Sequence, residues 1–407
     1  MDARLLVTSL VVCLTALGLS ACGTLTTWEV QPNDAALTQH DLADAVDAIA
    51  GPLVRQGQTP GLIVGLLLPD GSTRFFGYGT TGQDNGAVPG PDTLFAVGSL
   101  SKGFLGAMTD MLVQEGKLSW TDTLPSLLPP GTRLSDDAAR ISVEQLATHT
   151  SGLPRQPQMD LRTLVYFGEY LFNGNNFYRH LDRDTAVEYL THFNAPAVLV
   201  PQYSNIGYGI LGYVVELRTG QSVDDMLAER ISGPLGLAHT GYSPEDLPGY
   251  ETRAIGHAGD QPKFIRRGHL APDWRFTNLL RGSAALYSNA HDLLVFAGAH
   301  LRQDDSPLTA ALTDTLRVRY PRSRGATAVA WIADDVNGVQ IKYQIGIVAG
   351  YTAYLGINEV NRTAVVVLQN AFNFDCSASH RLMVLMATQA SPASVASLPK
   401  GDKDAPL

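Results

Sequence analysis

The sequence predicts an α+β fold, an antiparallel sheet built from both termini and flanked by helices, with a helical lobe inserted between its two parts. Three observations carry this. Near the start, 61–68 and 72–78 read as two strands around Pro69-Asp70-Gly71, a strong hairpin signal. Near the end, 326–332, 339–348, 352–357 and 363–368 form a run of strands, with Asn337-Gly338 marking a second hairpin. Between them the apolar period is mostly helical, and strand-rich ends around a helical middle imply one sheet closed by the two termini.

Taken in order, 1–21 has the form of an export signal. Arg4 is its only cation, 5–19 is mostly apolar, and the stretch is short for a membrane span. It ends in Leu19-Ser20-Ala21-Cys22, which resembles the bacterial lipobox and implies lipid on Cys22 as the first mature residue. Gly23 after that cysteine, by the same resemblance, implies a periplasm-facing lipoprotein of the outer membrane in a bacterial cell envelope. A linker over 22–40 then leads to one domain over 41–390, and 391–407 is expected to be a disordered tail.

Within the domain, Leu42, Val46, Ile49, Leu53 and Val54 make one stripe of a helix over 41–55. After the first hairpin, Leu94-Phe95-Ala96-Val97 runs β-like into Gly98. Phe104, Leu105, Met108, Met111 and Leu112 then fall at helical spacing, with Gly116 as the stop. A proline-punctuated loop is expected over 118–130. Ser142-Val143-Glu144-Gln145 is a capping box. The 155–195 segment is rich in aromatics, and core packing or a substrate rim would each account for it. A helix over 206–217 ends at Gly220, and another is capped by Ser222 and stops at Gly233-Pro234. Gly and Pro density makes 240–277 a loop, 279–301 is helical in its second half, and 377–390 is a closing helix. There is no internal repeat.

The net charge of −10 gives no basic footprint for nucleic acid. Three cysteines, at 13, 22 and 376, make no disulfide framework, and no Cys/His cluster has metal-ligand spacing. No metal or other cofactor is expected.

The chemistry is carried by Ser99 and Lys102. Residues three apart share a helix face, so the amine sits beside the hydroxyl. The free N–H groups of the helix start face any oxyanion formed there. A serine needs an adjacent base, and a buried lysine can serve. The pattern alone is weak, since Ser397-Leu398-Pro399-Lys400 in the tail also matches it. His149, in Leu146-Ala147-Thr148-His149-Thr150-Ser151-Gly152-Leu153-Pro154, is expected to be a buried histidine bonded to backbone, because the lysine already fills the base role.

These pieces, in this order, resemble the serine β-lactamase and penicillin-binding-protein-like hydrolases, specifically the class C-like group. Its members include class C β-lactamases, D-Ala-D-Ala carboxypeptidase/endopeptidases and some esterases. The match runs over roughly 40–390: Ser99 to Lys102, the His149 run, Tyr203-Ser204-Asn205 followed by Gly207-Tyr208-Gly209, the 284–292 region, and Gly350 before a strand. The resemblance implies that Ser99 is the acylated nucleophile, Lys102 its base or proton shuttle and Tyr203 a second acid/base group. Asn205 would position the substrate amide, and the N–H groups of Ser99 and of Tyr351, beside Gly350, would form the oxyanion hole. Tyr287-Ser288-Asn289 repeats the second motif and is read as structural. Aligned on Gly350, the third motif is Val348-Ala349-Gly350, lacking the lysine or histidine that binds a substrate carboxylate in the family. The implied substrate is a small β-lactam or a peptidoglycan D-Ala-D-Ala peptide, handled by a monomer. A neutral ester, or a weakly catalytic binding lipoprotein, is the alternative.

Overall fold

The computed structural model describes residues 39–388 apart from 85, 157–164, 167, 171–177, 179–180, 262–264, 323–324 and 337. The leader, Cys22, nearly all of the linker and the tail lie outside the described residues. Helix α1 (Gln39–Arg55) precedes the hairpin of β1 (Gly61–Leu67) and β2 (Thr73–Gly79). Asp70 closes its turn by accepting the Ser72 N–H at 2.9 Å. β3 (Phe95–Gly98) runs into α2 (Ser101–Gln114), and α3 (Val143–Ala147) and α4 (Asn205–Thr219) follow. The capping box at Ser142 is formed, Ser204 caps α4, and Gly220 ends it at φ +69°. The lobe returns through β4 (His257–Ala258), β5 (Leu286–Ser288), α5 (Ala290–Ala299) and α6 (Pro307–Thr315). The chain then adds β6 (Ala326–Thr327), β7 (Ile332–Val336), β8 (Val339–Val348), β9 (Tyr351–Asn358), β10 (Thr363–Gln369), β11 (Ala371–Phe372) and α7 (Ser377–Thr388).

The main sheet has the order β2-β1-β10-β9-β8-β7-β6, with antiparallel neighbours throughout. The β1–β10 pairing joins the two ends of the chain. Every residue of β1 and β10 is buried because both faces are covered. Leu62, Val64 and Leu66 pack with Leu42 and Val46 of α1 and Leu382 and Met383 of α7. Ile63, Leu67, Val366 and Leu368 face the inserted lobe, in one cluster with Leu293, Leu294 and Phe296 of α5. Helix α2 lies at the centre of that lobe, buried from Ser101 to Leu112, with Phe104 stacked on Phe296 at 3.8 Å.

The structure differs from the sequence reading in places. Residues 326–332 form not one strand but β6 and β7, which pair antiparallel after the chain reverses near Ala330, at φ +68°. The 118–130 loop holds a helical turn at Leu124–Leu127, and α6 was not expected. The 240–277 loop carries β4, which pairs parallel with β11.

One detail of the sheet positions the site. β7 pairs with β8 only over Val339–Tyr343, so 344–348 has β9 on one side and no strand of this sheet on the other. β3 lies against that open edge: a Cβ on Gly98 would stand 3.2 Å from the Ile347 nitrogen, and one on Gly346 only 1.9 Å from the Val97 oxygen.

Candidate active site

Ser99 lies between the end of β3 and the start of α2, partly exposed while both neighbours are buried. Gly98 turns the chain there at φ +52°, a backbone that L side chains rarely adopt. Ser101 fastens the junction, donating to the Gly98 oxygen at 2.5 Å and accepting the Leu286 N–H at 3.1 Å. The first helical turn then places Lys102, 1 % exposed, behind the hydroxyl.

Lys102 Nζ stands 3.1 Å from Ser99 Oγ, 2.9 Å from Asn205 Oδ1 and 2.8 Å from the Ser283 carbonyl oxygen. The last two can only accept, whereas the serine hydroxyl can donate or accept. As an ammonium, Lys102 donates to all three. As an amine, it donates to two and turns its lone pair to Ser99. The same geometry therefore serves both states of a proton carrier. On the other side, the Tyr203 O–H donates to Ser99 Oγ at 2.5 Å.

Backbone bonds hold the tyrosine loop. Gln202 N–H donates to the His149 oxygen at 2.7 Å, Asn205 N–H to the Arg155 oxygen at 3.0 Å, and Ser204 N–H to His149 Nδ1 at 3.1 Å. His149 is itself at φ +60°, and its ring lies 4.6 Å from that of Tyr203 and 4.9 Å from that of Tyr208. Burial first, then the charges of Lys102 and Arg155, lowers its pKa to about 3. The ring stays neutral, so Nδ1 can accept. His149 is the buried, backbone-bonded histidine expected, and the bond it accepts fixes the segment between Tyr203 and Asn205.

Ser99, Lys102, Tyr203 and Asn205 thus converge. The third motif lies elsewhere than the sequence alignment put it. Val348 and Tyr351 flank the two-residue turn Ala349-Gly350, where Gly350 is at φ +80°. The Tyr351 N–H closes that hairpin, and its phenol donates to the Ala254 oxygen at 3.0 Å. Gly350 packs on Gly256. Antiparallel pairs alternate, so next to the turn-closing pair the backbone groups of Ile347, opposite Thr352, point away from β9 toward β3. The glycine in tight contact with β3 is Gly346, and the N–H beside the nucleophile strand is that of Ile347. Gly350 and Tyr351 are turn residues here, and the alignment moves back four positions, to Gln344-Ile345-Gly346. The two-residue turn legible at Ala349-Gly350 was the signal for this.

Gln344 therefore takes the place first given to Val348. It is 4 % exposed, lies on the face of β8 toward α2, and has no hydrogen-bond partner for either amide atom among the described residues. A Cβ on Gly103 would be 2.5 Å from its Nε2. Val348 lines a depression beside the site with Ala96, Ala284, Ala285, Trp274 and Phe276. Asp273, at its wall, is paired with Arg253 at 3.4 Å. Of the 155–195 aromatics, Tyr178 and Phe193 are core residues, and Tyr178 meets Trp274 edge-on at 5.0 Å. Phe167, Phe172 and Phe177 lie outside the described residues. Asn289 of the second Tyr-Ser-Asn caps α5, a structural role. Among the described residues no three His, Cys, Asp or Glu side chains are placed to hold a metal ion. One residue the sequence reading passed over is Arg155, whose guanidinium carbon lies 5.3 Å from the centre of the Tyr203 ring.

Comparison with known proteins places the chain in a family and a fold. A family model described as Beta-lactamase matches residues 46–386. A protein of Aspergillus campestris named unguisins hydrolase is 28 % identical over 358 residues, which is 81 % of this chain and 62 % of that one. The D-alanyl-D-alanine-carboxypeptidase/endopeptidase AmpH of Escherichia coli is 28 % identical over 214 residues, 51 % of this chain and 52 % of that one. The chain thus spans about half to three-fifths of these relatives' length. A class C β-lactamase structure from Rhodobacter sphaeroides superposes with a TM-score of 0.68 at 22 % identity, over 85 % of this chain and 98 % of that one, a likeness of fold.

Proposed function

We propose that this chain, which belongs to the Beta-lactamase family, is a serine hydrolase that works through an acyl-enzyme on Ser99, with β-lactams or D-Ala-D-Ala peptides as substrates. The observation that carries this is the convergence of Lys102 Nζ and the Tyr203 phenol on one partly exposed hydroxyl, at 3.1 and 2.5 Å. Ser99 Oγ attacks the carbonyl carbon and its proton passes to Lys102. The carbonyl oxygen takes up negative charge against the N–H groups of Ser99 and Ile347. Tyr203 protonates the leaving nitrogen, and then takes a proton from the water that cleaves the acyl-enzyme. Asn205 holds Lys102 and orients the substrate amide. Relatives named carboxypeptidase/endopeptidase and β-lactamase support this substrate class.

A second reading, hydrolysis of neutral esters, is favoured by the uncharged Gln344 in the third motif. Both readings require that a fluorophosphonate or penicillin probe label the folded protein once, at Ser99. An adduct mapped to another residue, or none, would overturn both. The ratio of kcat/KM for a short acyl ester to that for a cephalosporin separates them.

We further propose that Cys22 carries lipid and tethers a monomer to the periplasmic side of the outer membrane, supported by the run Leu19-Ser20-Ala21-Cys22. Cys22→Ser should move the protein from the membrane fraction to a soluble or unprocessed pool. A mature chain with unmodified Cys22 contradicts the anchor.

A further inference from the structure

We propose that His149 is a positioning residue for the reaction, holding the Tyr203 phenol against Ser99 Oγ by bonding the residues on both sides of that tyrosine. This rests on the proposed acyl-enzyme reading of the site. Tyr203 stands just before the cap of α4, in a stretch that is neither helix nor strand, so no ladder of backbone bonds fixes it. His149 does so instead. Its carbonyl oxygen accepts the Gln202 N–H at 2.7 Å, and its ring nitrogen Nδ1 accepts the Ser204 N–H at 3.1 Å. Both bonds leave a residue whose backbone is left-handed, at φ +60°. Side chains rarely adopt that conformation, and such strain persists where the surroundings enforce it, above all at functional sites.

The ring adds a second restraint. It contacts the ring of Tyr203 at 4.6 Å and that of Tyr208 at 4.9 Å. Tyr208 is itself fixed, buried in α4 with its O–H donated to the Ala147 oxygen at 2.6 Å. The catalytic tyrosine thus packs on a ring that packs on an anchored one. Because Nδ1 accepts, the proton of the neutral ring is on Nε2. An imidazolium would turn a proton toward the Ser204 N–H and add a cation beside Lys102 and Arg155, the charges that face it. Burial, with those two charges, keeps it neutral, at a pKa of about 3. His149 therefore does not share the base role with Lys102, and its part is geometric. The phenol it holds lies 2.5 Å from Ser99 Oγ, and displacing such a group by about 1 Å can lower turnover roughly 100-fold.

The test compares two variants on a cephalosporin and on p-nitrophenyl acetate. His149→Asn keeps an acceptor at the place of Nδ1 and tolerates the left-handed backbone, whereas His149→Gly tolerates that backbone but loses acceptor and ring. His149→Gly should lose about 100-fold in kcat with KM nearly unchanged, and His149→Asn should escape most of that loss. In a Tyr203→Phe background, His149→Gly should cost less than about threefold more, because the group it positions is gone. Losses that multiply in the double variant, or an Asn variant no better than Gly, would overturn the proposal. So would an acid limb of the kcat/KM profile near about pH 6.5 that disappears in His149→Asn, since the ring would then titrate as a base. Should His149→Gly not fold, His149→Gln, whose carbonyl reaches past the Nδ1 position, replaces it in the same cycle. Fluorophosphonate labelling of Ser99 in each variant establishes that the nucleophile is assembled. Wild-type turnover in Ser99→Ala would instead sink the acyl-enzyme reading, whatever the His149 variants do.

Discussion

At the residue scale, the site depends on a contact that has no side chain on one partner. A Cβ on Gly346 would lie 1.9 Å from the Val97 oxygen, so Gly346→Ala must push β3 and β8 apart. β3 ends at the residue before Ser99, and Ile347 follows Gly346, so the push separates the proposed nucleophile from the N–H proposed to meet the oxyanion. A displacement of about 1 Å can lower turnover roughly 100-fold, while overpacking of this kind typically costs about 1–3 kcal/mol of stability. Gly346→Ala should therefore remain folded below its melting point and lose about two orders of magnitude in kcat, with slower labelling of Ser99. A folded variant with wild-type kcat would remove Ile347 from the oxyanion hole. The same contrast explains what the sequence disclosed. Ser99, Lys102, Tyr203 and Asn205 were legible because side-chain chemistry has a letter. The Ile347 N–H has none, and its place is set by strand register, which local pattern does not encode.

At the scale of elements, most of the architecture was legible where the code is local. The capping box at Ser142 and the terminal glycine Gly220 fixed helix ends to within a few residues, and Pro69-Asp70-Gly71 fixed the first hairpin. The β6–β7 reversal was not legible. It turns at Ala330, a residue with no turn chemistry, in a conformation that non-glycine residues seldom adopt. Tertiary packing holds it: the Ala330 N–H donates to the Ala147 oxygen at the end of α3, and the Val329 N–H to the Thr315 oxygen at the end of α6. Helix α6 had a readable start, Ser306 followed by Pro307, with the serine accepting the Thr309 N–H at 3.1 Å. The open edge beside β3 is likewise hidden in the strand order. In strand order β8 is interior, and it becomes an edge only beyond Tyr343, where the short β7 runs out.

At the scale of the whole molecule, one buried charge network ties the catalytic helix to the rest of the lobe and makes stability depend on pH. Arg319 reaches Glu144 of α3 at 3.1 Å, Asp314 of α6, and Asp110 of α2 at 3.8 Å, with its guanidinium over Trp120. Asp110 is 1 % exposed and accepts from Gln114 at 2.8 Å. Burial first, then the hydrogen bond and charge of Asp314, raises its pKa well above the usual carboxylate range, toward neutrality, and Arg319 and Gln114 oppose the rise only in part. A raised folded-state pKa gives stability that is whole below the ordinary carboxylate value and is lost as pH climbs from there through the shifted one. Two histidines act in the opposite sense. Burial lowers His149 to about 3 and His300 to about 4, so both stay neutral in the fold while the unfolded chain takes up protons below about 6.5. Their contribution is whole above that pH and is lost as pH falls toward those values. The wild type should be most stable between the two losses. Asp110→Asn keeps the shape and the bond from Gln114 while removing the charge. It should therefore raise the melting temperature most at pH 8 and less at pH 5, where Asp110 is protonated in the fold and only the unfolded chain carries the charge. Calorimetric or circular-dichroism melts of both proteins at the two pH values measure this. A difference between wild type and variant that is the same at pH 5 and pH 8 would mean that Asp110 does not titrate in this window and that α2 is not held by a shared proton.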